Sequence, residues 1–195
     1  MGKRWNTWKD KLMDKWQQLD REYVVRNRWV TLAKDKVLLP NGSTMDDFYV
    51  FEKKNVSLIV ALDEENNVLI KKEYRYPVDE FLYELPGGVI EEGNNALETA
   101  KRELLEETGY TSDEWIKLIS GYDYPTKDTN VVNIFLAKNV RKCSGQKLEI
   151  SEDIEFEFIP LKKAIDMCVS NEIKVNGTIS GLMLTEKLLQ VTDIK

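Results

Sequence analysis

The chain of 195 residues contains no histidine, and this absence removes several common kinds of active site. Ser-His-Asp and Cys-His catalysis need an imidazole as general base, and His-ligated metal sites need it as a ligand. Carboxylates are therefore the obvious source of acid, base and metal-ligand chemistry. Clustered Asp and Glu residues are accordingly the features that bear most on function.

Cysteine is scarce as well, with only Cys143 and Cys168, which lie far apart and in no metal-type spacing. We expect both to be free thiols, with Cys168 on an apolar helix face. The sequence also lacks a hydrophobic run of membrane-spanning length, and its N-terminus lacks the apolar core of a signal peptide. A reducing cytoplasm is therefore the expected location, with no membrane association.

The chain has no excess of positive charge, since its net charge is −6 and its pI is near 5.0. Non-specific binding to duplex nucleic acid is therefore not expected, because too few basic residues are available to neutralise phosphates. The hydrophobic share of 42% and the charged share of 32% are those of an ordinary globular protein. The length suits one domain with a small appendage.

An acidic helix follows a glycine turn in the stretch 88–110. Asn95 can act as its N-cap, and Glu98 stands where a capping box expects an acidic residue. Gly109 suits the left-handed position just beyond a helix C-terminus. These signals predict a helix of about three and a half turns between the two caps.

Three glutamates of this helix, Glu103, Glu106 and Glu107, are spaced i, i+3 and i+4 and therefore share one face. Like charges so placed repel each other, and they lie toward the negative end of the helix dipole. A hard divalent cation such as Mg²⁺ or Mn²⁺ would resolve this repulsion. The alternative is a solvated acidic helix face, and the spacing alone leaves both interpretations open. Arg102 can hold one of the carboxylates by a charge-assisted hydrogen bond.

The order of these residues resembles the Nudix box of the Nudix hydrolase family: Gly88, five residues, Asn94, seven residues, and then the segment 102–110. Every defining position agrees except Asn94, where the family usually has Glu. The resemblance implies an α/β/α sandwich around a mixed β-sheet. It also implies metal-dependent hydrolysis of a nucleoside diphosphate linked to another group.

The resemblance further assigns roles to residues of this sequence. Glu103, Glu106 and Glu107 would be ligands of Mg²⁺ or Mn²⁺, together with the backbone carbonyl of Gly87. Arg102 would orient Glu103 in the catalytic site. At position 94 the neutral amide still accepts hydrogen bonds, but it cannot balance Arg102 electrostatically.

Two further segments resemble the ADP-ribose pyrophosphatase branch of the family. The first is Tyr74-Arg75-Tyr76-Pro77, which shortly precedes Glu84-Leu85-Pro86-Gly87-Gly88. The second contains a proline, Pro125, at 15 residues beyond Tyr110. The likeness implies cleavage of ADP-ribose to AMP and ribose 5-phosphate. Substrate contacts would come from Tyr74, Arg75, Glu84 and Pro125, although Arg75 and Glu84 can equally form a structural pair. The loop 126–130 departs from the branch, so specificity is less firmly indicated than reaction class.

In such pyrophosphatases a loop before the last strand supplies a glutamate proposed as the catalytic base. Here Glu152 is the first choice and Glu149 the second, while the alternative is that both simply border a hairpin. Two rival functions remain: hydrolysis of another nucleoside diphosphate sugar or a dinucleotide, and a non-catalytic sensor that binds a nucleotide sugar. Only Asn94 favours the sensor, and the three intact glutamates count against it.

The chain is expected to divide into an amphipathic helix at 1–22, a β-rich extension at 23–54 and a Nudix domain at 55–195. The helix carries Trp5, Trp8, Leu12, Trp16 and Leu19 at helical spacing. It can pack on the domain or a second subunit, or lie on a membrane surface. The extension shows short strands at 29–33, 37–39 and 48–51, with a hairpin turn at Asn41-Gly42.

In the relatives that the chain resembles, this extension helps to form a homodimer and part of the nucleoside site. Phe48, Tyr49 and Phe51 are the aromatic residues considered for base stacking, or they are alternating core and surface residues of a strand. The remaining pattern predicts strands at 57–62, 68–72, 115–120, 131–137 (a central one) and 154–159, and helices at 161–169 and 178–191.

Overall fold

The computed structural model describes residues 14–192, which divide into two compact units. Of the described residues, the first unit contains those up to Lys53 together with Thr126–Thr129, and the second contains Lys54–Pro125 and the residues from Asn130 onwards. The predicted start of the main domain at residue 55 lies beside this division. Among the described residues, no helix is both long and apolar enough to cross a membrane.

The first unit is a three-stranded antiparallel sheet formed by β1 (Gln17–Arg26), β2 (Thr31–Leu38) and β3 (Thr44–Phe51). The predicted turn at Asn41-Gly42 joins β2 to β3. The predicted break between Ala33 and Val37 is wrong, because the strand continues through a buried Asp35. Arg21 on β1 pairs with that carboxylate at 2.7 Å and so satisfies its charge.

The predicted amphipathic helix is wrong from Gln17 onward, where the chain forms β1, and the predicted boundary at residue 22 falls inside this strand. The segment Tyr23-Val24-Val25 has strong β-propensity and pairs with β2, and this cross-strand pairing outweighs the helical spacing of Trp16 and Leu19. Residues 1–13, with Trp5, Trp8 and Leu12, lie outside the described residues.

The second unit is built on a four-stranded sheet of order β7-β4-β10-β9 and a three-stranded sheet of order β12-β5-β6, with a small pair formed by β8 and β11. The strand β10 is parallel to β4, antiparallel to β9 and buried along most of its length, which confirms the predicted central strand. The elements are β4 (Val56–Ala61), β5 (Asn67–Arg75), β6 (Glu80–Glu84), β7 (Gly87–Val89), α1 (Ala96–Thr108), β8 (Tyr110–Thr111), β9 (Glu114–Gly121), β10 (Val132–Lys138), β11 (Arg141–Lys142), β12 (Ile154–Pro160), α2 (Leu161–Val169) and α3 (Asn176–Thr192).

Helices cover both faces of the sheets in this unit. Along β4, Ile59 and Ala61 belong to the core under α1, whereas Val60 and the adjacent Leu62 belong to the core under α2 and α3. This alternation follows from the two-residue period of a strand. The unit is therefore the expected α/β/α sandwich around a mixed set of strands.

The helix α1 begins and ends where the sequence predicts. The Asn95 side chain accepts a hydrogen bond from the Glu98 N–H at 2.9 Å, and Gly109 closes the helix in the left-handed conformation. One face of α1 is anchored in the core by Ala100 and Leu104, both fully buried. Glu107 lies on this buried side of α1, whereas Glu106 is exposed, so the packing of α1 fixes where the glutamates stand.

Replacing Leu104 with alanine is expected to lower the free energy of unfolding by about 3 kcal/mol, because the side chain is fully buried between α1 and the sheet. Denaturant unfolding of both proteins measures the difference. The control is Lys101→Ala on the exposed side of the same helix, which we expect to change stability by less than about 0.5 kcal/mol. Equal losses for the two variants would contradict this packing.

Candidate active site

A glycine turn at the start of β7 brings the backbone against α1. Gly87 has φ of 153°, and a Cβ there would lie 2.2 Å from the Ser57 carbonyl oxygen. At Gly88 a Cβ would lie 2.3 Å from Glu103 Oε1. Only glycine therefore allows the turn and the Glu103 carboxylate to come this close.

Arg102 joins two of the predicted metal ligands. Its guanidinium donates to Glu103 at 2.5 Å and to Glu106 at 2.5 Å. Burial raises the pKa of the Glu103 carboxyl above its usual value, although Arg102 acts in the opposite direction. The expected pairing of Arg102 with Glu103 is thus present, and Glu106 shares it.

Glu107, the third predicted ligand, points into the protein. Its side chain is only 3% exposed, so the alternative of a solvated acidic face is wrong for this residue. Its Oε1 accepts from the Lys71 ammonium, and its Oε2 accepts from the Gly87 N–H at 2.8 Å. Burial raises the pKa of Glu107 to about 7 despite these donors.

Lys71 on β5 is the main site residue that the sequence analysis missed. Its side chain is 2% exposed and also lies 3.0 Å from Glu73, which in turn pairs with Arg75 at 2.9 Å. Burial lowers the pKa of Lys71, but the carboxylates of Glu107 and Glu73 outweigh it, so the pKa is raised overall. The sequence signal that could have identified it is the i, i+2, i+4 spacing of Lys71, Glu73 and Arg75, which places all three on one face of β5.

Arg75 forms the structural pair that the sequence analysis left open, binding both oxygens of Glu84 at 3.0 and 2.7 Å. Tyr74 points away from this pair and donates its hydroxyl to Asp79 at 2.8 Å. The Arg75 side chain is 39% exposed, so part of the guanidinium can still be reached from solvent. Substrate-binding roles for Tyr74, Arg75 and Glu84 stay predictions.

The loop that precedes β12 is tied to the C-terminal end of α1. The Gln146 side chain donates to the Glu107 carbonyl at 2.8 Å, and the Lys147 N–H donates to the Glu106 carbonyl at 2.7 Å. Within the loop, Glu152 accepts from the Glu149 N–H at 2.8 Å. Burial is the main cause of the raised pKa of Glu103, and the charge of Glu152 acts in the same direction.

The other predicted positions lie in less constrained surroundings. Phe48 has the Lys127 ammonium over its ring at 4.0 Å and the Trp16 ring at its edge, so a stacking base would have to displace the lysine from that face. Pro125 and Asn94 are both exposed. Arg102 pairs with its two helix neighbours instead of with position 94.

Within residues 14–192 no three acidic or thiol side chains are already arranged around one point as metal ligands. The charge of the site nevertheless fits a divalent cation. The carboxylates of the two ion-pair networks number five, against three cations, which leaves an excess of two negative charges. Carboxylate oxygens are the donors that Mg²⁺ and Mn²⁺ prefer. The networks contain Glu73, Glu84, Glu103, Glu106 and Glu107, with Lys71, Arg75 and Arg102.

Comparison with family models places known domains on both parts of the chain. Residues 52–174 match the NUDIX domain, and residues 16–51 match the nucleoside diphosphate sugar hydrolase N-terminal domain. The first match covers the glycine turn, α1 and the loop before β12. The second covers the three-stranded sheet of the first unit.

Individual proteins resemble the chain over most of its length. An ADP-ribose pyrophosphatase of Bacillus subtilis is 30% identical over 86% of this chain and 92% of its own. A GDP-mannose pyrophosphatase of Yersinia enterocolitica is 28% identical over 85% of this chain and 93% of its own. The crystal structure of an ADP compounds hydrolase matches with a TM-score of 0.82, covering 93% of this chain and 98% of that one at 22% identity. This last likeness concerns the fold.

Proposed function

Since the chain belongs to the Nudix family, we propose that it is a hydrolase that splits the pyrophosphate bond of a nucleoside diphosphate sugar. The observation that carries this proposal is the excess of two negative charges in the two ion-pair networks, which include Glu103, Glu106 and Glu107 beside the glycine turn. Such a site attracts a divalent cation, and the cation in turn attracts a pyrophosphate.

ADP-ribose is the substrate that we propose first, with AMP and ribose 5-phosphate as products. The pyrophosphatase of Bacillus subtilis supports it, as do the Tyr74–Pro77 segment and the position of Pro125. The similarity to a GDP-mannose pyrophosphatase keeps another nucleoside diphosphate sugar as the alternative. Both substrates share the same reacting pyrophosphate and differ in base and sugar.

Glu103, Glu106 and Glu107 would hold Mg²⁺ or Mn²⁺, with the backbone carbonyl of Gly87 as a further ligand. When bound, such an ion neutralises the pyrophosphate charge and lowers the pKa of a water molecule. Arg102 keeps the Glu103 and Glu106 carboxylates in place by its two hydrogen bonds. The Gly88 backbone leaves the space that Glu103 needs.

The proton of the attacking water goes to Glu152 in this proposal. The water oxygen forms a bond to one phosphorus, the bridging P–O bond breaks, and the other phosphate leaves with that oxygen. The loop that carries Glu152 is hydrogen-bonded to the C-terminal end of α1 through Gln146 and Lys147, which supports this role. Arg75 would donate to a phosphate or ribose oxygen from the exposed part of its guanidinium.

Replacing Glu152 with glutamine is expected to lower kcat about a hundredfold with little change in KM, because the amide cannot accept the proton. Glu149→Gln in the same loop is the matched control and should retain most of the activity. Steady-state kinetics on ADP-ribose measure both effects. A larger loss for Glu149→Gln than for Glu152→Gln would exchange the two roles.

A substrate panel tests the proposed specificity. The purified protein is given ADP-ribose, GDP-mannose, another nucleoside diphosphate sugar and a dinucleotide, and the compounds are ranked by kcat/KM. We expect ADP-ribose to rank first. Thermal stabilisation by one of these compounds without any product, at every metal concentration, would instead favour a non-catalytic sensor in which Asn94 has replaced the usual glutamate.

Two properties of the whole protein complete the proposal. A homodimer would cover the exposed apolar residues of β1, which include Leu19, Tyr23 and Val25, and light scattering would detect it. The free thiols Cys143 and Cys168 fit a reducing cytoplasm. No role in nucleic-acid or membrane binding is proposed.

A further inference from the structure

Glu107 differs from the other two glutamates of the site because protein donors already bind both of its oxygens. Oε1 accepts from Lys71 and Oε2 accepts from the Gly87 N–H. Each carboxylate oxygen can accept twice, so a metal ion can still bind Glu107, but it would have to share an oxygen with one of these donors. Lys71 and a divalent ion are therefore in competition for the same carboxylate.

Lys71 is held firmly enough to compete. The ammonium is buried with two carboxylates, and Glu73 on its far side is itself fixed by Arg75. Turning Lys71 away would also remove the cation beside Glu73 Oε2, a buried oxygen that the approaching ion would not neutralise, and breaking such a buried pair costs several kcal/mol. The lysine therefore stays in place when a divalent ion approaches.

We propose that Lys71 is a positioning residue that holds Glu107 toward β5 and thereby weakens the binding of divalent ions to the carboxylate cluster. The proposal rests on the proposed function, because it takes Glu103, Glu106 and Glu107 as the ligands. Lys71 provides a fixed unit of positive charge beside them. The free protein then binds its metal loosely, and the main ligands are the two glutamates held by Arg102, Glu103 and Glu106.

The charge of the site gives the direction of the effect. With Lys71 present, the two ion-pair networks carry an excess of two negative charges, and removing its charge raises the excess to three. A buried charge this close to the ligands is poorly screened by solvent. We expect its removal to tighten Mn²⁺ binding about tenfold.

The test is the dissociation constant of Mn²⁺ for the full chain, measured without substrate by calorimetry and by electron paramagnetic resonance of the free ion. Lys71→Gln keeps a hydrogen-bond donor for Glu107 and removes the charge, and it should bind Mn²⁺ about tenfold more tightly than the native protein. Lys71→Arg keeps the charge and should bind Mn²⁺ with the same affinity as the native protein. Circular dichroism establishes that each variant is folded.

The matched control is Lys72→Gln, the next residue of β5, whose ammonium lies over the rings of Phe81 and Tyr83. It should leave the Mn²⁺ affinity unchanged. Equal affinities of Lys71→Gln and the native protein would overturn the proposal, as would an equal tightening by Lys72→Gln.

A second measurement does not require any Lys71 variant to fold. Because both oxygens of Glu107 are already bound by protein donors, Glu107→Gln should weaken Mn²⁺ binding less than Glu103→Gln does. The reverse order would overturn the inference. If the native protein bound Mn²⁺ and cleaved its substrate but the variants did not show these orders of Mn²⁺ affinity, the inference alone would be wrong. If neither the native protein nor any variant bound Mn²⁺, the proposed function would be wrong as well.

Discussion

Replacing Glu106 with glutamine is expected to lower kcat by about a hundredfold or more while the protein stays folded. The carboxylate would hold a divalent cation that the neutral amide binds far more weakly. Its side chain is 40% exposed, so the substitution removes no buried contact. Steady-state kinetics at saturating Mg²⁺ give the loss, and denaturant unfolding shows whether stability is kept.

Glu98→Gln is the control for this experiment. Glu98 lies on the same helix, its replacement removes the same charge, and the ion pair that it forms within residues 14–192 is an exposed one with Lys101. We expect native kcat and KM for it. If Glu106→Gln turned over as fast as Glu98→Gln, the assignment of the metal ligands would be wrong.

Replacing Gly87 with alanine is expected to lower the free energy of unfolding by about 3 kcal/mol and to remove most of the activity. The new Cβ would lie 2.2 Å from the Ser57 carbonyl oxygen, which is backbone and cannot move aside alone. Residue 87 also has φ of 153°, where side chains other than that of glycine are strained. A shift of the turn would disturb the hydrogen bond that the residue 87 N–H donates to Glu107.

Gly93→Ala separates backbone strain from steric collision. Gly93 also has positive φ, at 86°, but a Cβ there would meet nothing within 4 Å. We expect this variant to lose about 1 kcal/mol in its free energy of unfolding and to keep its activity. Equal losses of stability and activity for the two variants, measured by thermal unfolding and kinetics, would show that the close approach of the turn to Ser57 is unimportant.

The helix that carries the glutamates could be predicted from the sequence because its signals are local. Asn95 caps its start and Gly109 its end, through a hydrogen bond and a backbone conformation that depend only on neighbouring residues. The central strand at 131–137 could be predicted in the same way, since a run that is apolar except for Asn133 indicates burial on both faces. The residues of the glycine turn were identified through their resemblance to the Nudix box.

The features that could not be predicted depend on contacts between distant segments. The strand β1 replaces the expected helix at Gln17 because pairing with β2 overrides the helical spacing of Trp16 and Leu19. The burial of Lys71 depends on Glu107, 36 residues later in the chain. A lysine inside a strand normally indicates an exposed position, and only the folded arrangement provides its partner.

The most direct test of the account is product analysis of the purified protein with ADP-ribose in the presence of Mg²⁺, of Mn²⁺ and of a chelator, with Glu106→Gln as a parallel sample. We expect AMP and ribose 5-phosphate in the samples that contain metal, none with chelator, and very little from the variant. Formation of these products at the same rate with chelator, or undiminished formation by Glu106→Gln, would contradict a hydrolase whose metal is held by the glutamates of α1.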